Sequence, residues 1–136
     1  MITTSTVLTL SLAKAMGVYM IAGGLSGLLA RDRWAAILDS FRENAGLTYM
    51  SGLFVFALGA VVILAHNTWT DPLAIVVSLF GWVAAIEGVV IIAYPDPLLK
   101  WSASMLRPAM VTGFAIFTIV AGAILLLLGL TGTAGL

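Results

Sequence analysis

The chain has 136 residues; 62% are hydrophobic, only 9% are charged, and six basic residues balance six acidic ones. No soluble domain of this size has that composition, and the zero net charge argues against a nucleic-acid partner or a strongly charged ligand. The absence of cysteine removes disulfides, Fe–S clusters and thiolate metal sites.

The first six residues, Met-Ile-Thr-Thr-Ser-Thr, lack the basic start of a signal peptide, and the apolar run after them is too long for a signal core. Four apolar stretches follow, at 7–30, 47–65, 72–94 and 110–130. Each matches the roughly 20 residues needed to cross a bilayer. The expected fold is an all-α, four-helix transmembrane bundle, with residues 1–136 as one membrane domain. It is read as two parallel-repeat helical hairpins, each with a short interfacial helix in its cytoplasmic loop.

Segment 1 carries Lys14, with Gly17, Ile21 and Gly24 on the same helical face, and a close-packing pair at Gly23 and Gly27. Lys14 is expected to reach towards outer water or Asp71. The segment after it holds Arg31, Arg33 and Arg42. There Trp34, Ile37, Leu38 and Phe41 follow the i, i+3, i+4, i+7 spacing of an interfacial helix, with Asp32 as its cap and Gly46 as its stop. Segment 2 has Gly52 and Gly59 two turns apart.

The turn at 66–71 concentrates polar chemistry: His66, Asn67, Trp69 and Asp71, the last before Pro72. A weak metal site or a pH-sensitive gate is one reading of this outer-face cluster. The structural reading has His66 at a helix C-terminus, Asn67 in the left-handed conformation, Trp69 in the aromatic belt and Asp71-Pro72 starting a helix.

Segment 3 carries Gly81, Gly88 and Glu87. Glu87 sits seven residues before Tyr94, roughly 10 Å below the cytoplasmic face by helix rise. A charge within a span costs about 2.5–3.5 kcal/mol on insertion scales and is by default a functional hypothesis. Glu87 and Lys14 are therefore the candidate proton or ion site, although their depths differ by roughly 12 Å. Beyond it, Asp96-Pro97 opens a second interfacial helix with a stripe of Leu98, Trp101 and Met105, and Pro108 ends it. Trp34, Trp69 and Trp101 are the expected interfacial anchors. Segment 4 contains no ionisable residue.

Five of the six basic residues fall in 31–46 and 95–109, which the positive-inside rule makes cytoplasmic, with both termini outside. At an offset of 64, Gly17 falls on Gly81, Gly24 on Gly88, Asp32 on Asp96 and Thr48 on Thr112. That pattern reads as a parallel internal repeat. The sequence shows no catalytic triad, paired carboxylates, phosphate loop or metal-ligand cluster, so neither an enzyme nor a cofactor is expected.

The pattern His66-Asn67-x-Trp69, then Pro72, Gly81-Trp82 and Gly88, resembles small bacterial four-span integral membrane proteins, an uncharacterised group. The resemblance implies a four-span architecture and a bacterial inner membrane with periplasmic termini. Such sequences are expected to carry a lysine near the Glu87 position, where this chain departs. Small multidrug transporters are also four-span, but their working carboxylate lies in the first span, where this chain has Lys14.

The expected function is a non-enzymatic inner-membrane component, an accessory or scaffold acting through helix packing. Its partners would be the lipid bilayer and either a second copy or a larger membrane complex. The alternative is a small oligomeric transporter or channel with Glu87 as its proton- or ion-binding group.

Overall fold

A computed structural model describes residues 3–4 and 6–135. Met1, Ile2, Ser5 and Leu136, and with them part of the ends read above as external, lie outside the described residues. Among the described residues six helices run in chain order: α1 Val7–Leu29, α2 Arg31–Glu43, α3 Ala45–Ala65, α4 Pro72–Ala93, α5 Asp96–Ser104 and α6 Pro108–Thr131. A parallel pair of two-residue strands, β1 Thr3–Thr4 and β2 Thr133–Ala134, ties the start of α1 to the end of α6. Helices α1, α3, α4 and α6 are each long and apolar enough to span a membrane, so the chain is a multi-pass, all-α membrane protein.

Local chemistry explains most helix ends. Thr6 accepts from the Thr9 amide at 3.2 Å, Asn44 from the Leu47 amide at 2.9 Å, and Asp71 from the Ala74 amide at 3.0 Å. Pro72 then occupies the first helical turn, where its missing N–H costs nothing.

Several expected stops and caps are displaced. Single residues, Ala30 and Asn44, join α2 to its neighbours. Asp32 therefore lies inside the first turn of α2, with Ala30 as cap. Gly46 lies inside the first turn of α3, which Asn44 caps. Asp96 is likewise the first residue of α5, capped by Pro95, and Pro108 opens α6 after α5 has ended at Ser104. No non-glycine residue has positive φ among the described residues, so Asn67 is not left-handed.

Close packing joins α1 to α6 and α3 to α4, not the spans that share an interfacial helix. Glycines set both contacts. A Cβ on Gly17 would come within 2.6 Å of the Gly122 carbonyl, and one on Gly24 within 2.8 Å of the Ala115 carbonyl. In the other pair, a Cβ on Gly59 would strike the Ala85 backbone, and one on Gly88 the Phe56 backbone. Gly52 and Gly81 approach Ile91 and Val62 in the same way. Lipid supplies no hydrophobic drive between helices, so backbones must come close enough for dispersion to act.

The two pairs meet at one end through α1 and α4. There Leu10 and Ala13 of α1, Leu73 and Val77 of α4 and Leu125 of α6 form the buried core. At the opposite end α2 touches α5. The α2 stripe buries Leu38, half-buries Ile37 and Phe41 and leaves Trp34 exposed, whereas Leu98 of α5 and Met105, which caps its end, are half-buried and Trp101 stays exposed.

Candidate functional site

Polar side chains converge where the core closes, at the end that carries β1, β2 and the loop 66–71. His66 caps α3 and is 2% exposed, and Thr4, Thr9, Asp71 and Ser78 are buried with it. The loop is only partly on the surface: Asn67, Trp69 and Thr70 are exposed, whereas His66 and Asp71 are buried. Its first residues bond to Ser78, which lies six residues into α4, or roughly 9 Å below Pro72 by helix rise.

Ser78 is the hinge of the cluster. Its hydroxyl donates to the Thr68 carbonyl at 2.8 Å and accepts from the Thr68 amide at 3.2 Å. Irregular backbone at this depth persists only where protein groups satisfy it. With the single Ser78 hydrogen committed to a carbonyl, the contact to His66 Nδ1 at 3.1 Å requires the ring to donate. Neutral His66 then accepts at Nε2, and the Thr9 hydroxyl donates to it at 2.6 Å. Thr9 Oγ1 in turn stands 3.0 Å from Thr6 Oγ1. A continuous hydrogen-bonded chain thus links α1, the end of α3 and α4.

Asp71 does separate work. One carboxylate oxygen accepts from the Ala74 amide and the other from the Thr4 hydroxyl at 2.8 Å, which fastens β1 to the start of α4. Asn67 is turned towards the bundle surface, where its side-chain oxygen accepts from Trp69 Nε1 at 2.8 Å and Trp82 Nε1 at 3.3 Å. The expected cluster of His66, Asn67 and Asp71 therefore divides into three separate bonding sets. Among the described residues, no three His, Cys, Asp or Glu side chains converge as a metal site.

Glu87 and Lys14 are not brought together. Glu87 lies on an exposed face of α4 beside Val83, Ile86 and Val90. Lys14 is half-buried, its stem lying where a side chain on Gly129 of α6 would stand. Neither has a hydrogen-bond or ion-pair partner among the described residues, so Lys14 does not reach Asp71.

Of the eight expected packing glycines, seven are used within the chain and Gly23 is not, because nothing lies within 4 Å of where its Cβ would be. Gly122 and Gly129, which complete the α1 contact from α6, escaped the sequence reading. Their seven-residue spacing matches 17/24, 52/59 and 81/88 and was the available signal. Thr4, Thr9 and Ser78 also escaped it. A lone histidine needs partners, and small hydroxyls near the span ends were the place to look.

No family model, curated protein or solved structure matches this chain.

Proposed function

We propose that the chain is a non-enzymatic component of a bacterial inner membrane that works by packing its spans against a transmembrane helix of a partner protein. Gly23 carries this reading. A glycine within a helix costs about 1 kcal/mol relative to alanine, and no internal contact uses the space beside this one. It opens onto a groove of about 460 Å³ lined by Tyr19 and Met20 of α1, Phe114 and Thr118 of α6, and Trp34 of α2 and Trp101 of α5 at one end. A groove of that character suits a helix backbone at close range.

In this reading α2 and α5 are cytoplasmic, because five of the six basic residues lie outside the spans at their end. An internal repeat fits the pairing: the first span of each half packs on the second span of the other, while α1 touches α4 and α2 touches α5.

The experiment is gentle extraction followed by native mass spectrometry of wild type and Gly23→Leu. A defined larger complex, lost in Gly23→Leu while the chain stays folded, is the expected result. A homo-oligomer lost in the same variant would make the occupant a second copy. A complex indifferent to Gly23→Leu would sink the reading.

A second reading rests on Glu87, an exposed carboxylate in a span without a partner among the described residues. An oligomeric transporter would use it as the proton- or ion-binding group, with Lys14 and His66 nearer the outer mouth. Transport abolished by Glu87→Gln at unchanged expression would establish this reading over the first.

A further inference from the structure

At the end where α2 meets α5, a cavity of about 400 Å³ opens beside the start of α3 and the end of α4. Arg42, in the last turn of α2, and Lys100, in α5, both line it, as does Asp96. All three are exposed, and none forms an ion pair among the described residues. Phe41, Ile91 and Leu99 continue from this cavity into an adjoining one of about 160 Å³, which Leu38 and Leu106 also line.

We infer that this double cavity binds an acidic membrane phospholipid, independently of any protein partner. Its phosphate lies between Arg42 and Lys100, and the start of an acyl chain runs along Phe41, Ile91 and Leu99.

Three features set the ligand class. Guanidinium presents a fork that matches phosphate oxygens, and ammonium adds a point charge. Basic pockets between spans are suited to lipid head groups, and this one lies level with the span ends. The apolar extension offers nothing to a free anion but accommodates hydrocarbon. The charge balance selects an acidic lipid: two cations face one carboxylate. Asp96 lies in the first turn of α5, where the helix dipole partly offsets its charge, so the cavity keeps a net positive character.

The test is native mass spectrometry of the full chain with added phosphatidylglycerol, phosphatidylethanolamine or inorganic phosphate. Phosphatidylglycerol should be retained most strongly, and the double change Arg42→Gln with Lys100→Gln should weaken it by roughly tenfold or more. The charge-keeping pair Arg42→Lys with Lys100→Arg should recover most of that loss. Arg31→Gln with Arg33→Gln, at the same end but outside the cavity, should change retention by less than about twofold. Equal losses from both neutralised pairs would reduce the site to a general basic face and overturn the proposal. Equal retention of phosphatidylethanolamine, or displacement by inorganic phosphate at matching concentration, would overturn it as well.

Discussion

The Nε2 atom of His66 stands 2.6 Å from the Thr9 hydroxyl, and both residues are buried. This contact ties the α1/α6 pair to the α3/α4 pair through a polar bond at the end where their apolar core also closes. Because Ser78 requires Nδ1 to donate, Thr9 must donate to Nε2 in the neutral ring. Protonating His66 would turn that contact into donor against donor unless Thr9 rotates its hydrogen towards Thr6.

Thr9→Val should therefore destabilise the protein by about 1–3 kcal/mol, the usual cost of leaving a buried polar atom unsatisfied. Thr9→Ser keeps the hydroxyl and should recover most of it. Unfolding in mixed micelles of increasing denaturing detergent measures both. A neutral Thr9→Val would show that the bond does not join the two pairs.

Ser78→Ala removes the groups that satisfy both backbone positions of Thr68 and the His66 ring. Its cost should exceed that of Thr9→Val. Combined with His66→Ala, the loss should fall short of the sum of the single changes, since the two side chains share one network. A double-mutant cycle by the same unfolding assay gives the coupling.

Gly59→Leu should prevent normal packing, because even a Cβ there meets the Ala85 backbone. Overpacking of this kind typically costs about 1–3 kcal/mol and at a helix–helix contact can exceed that. Gly23→Leu meets open space and should leave stability nearly unchanged. Thermal denaturation of the two variants side by side separates them.

The pairing of α1 with α6 is open to direct trapping, since the chain has no cysteine. A Cβ on Gly27 would lie 3.0 Å from that of Ala115, slightly closer than a disulfide prefers. Gly27→Cys with Ala115→Cys should oxidise to an intramolecular crosslink that reductant reverses on a gel. Failure to crosslink, with each single variant folded, would argue against this pairing.

Glu87→Gln should alter stability by less than about 0.5 kcal/mol, as expected for an exposed side chain that holds nothing. Unfolding midpoints in bilayer-mimicking micelles check this. A large loss would mean that the carboxylate is bound across a contact between chains.

The spans were legible because crossing a bilayer needs only length and apolarity, which the runs at 7–30, 47–65, 72–94 and 110–130 display residue by residue. The cap at Asp71 and the α2 stripe of Ile37, Leu38 and Phe41 were also readable, since both depend on neighbours within one helix. The polar cluster was only half legible. His66 and Asp71 stood out by type, but Thr9 lies 57 positions from His66 in the chain, and no local pattern links them.

What sequence by itself determined is the class of the protein, its four spans and the basic character of one end, because these follow from composition along single helices. The tertiary structure alone decided which span packs on which, that His66 at the end of α3 is buried against Ser78 of α4, and that Glu87 is left exposed. In lipid every apolar face is equally satisfied, so partner choice falls to close glycine contacts and a few hydrogen bonds between distant residues. Those are properties of two surfaces together, and neither strand of sequence carries them alone.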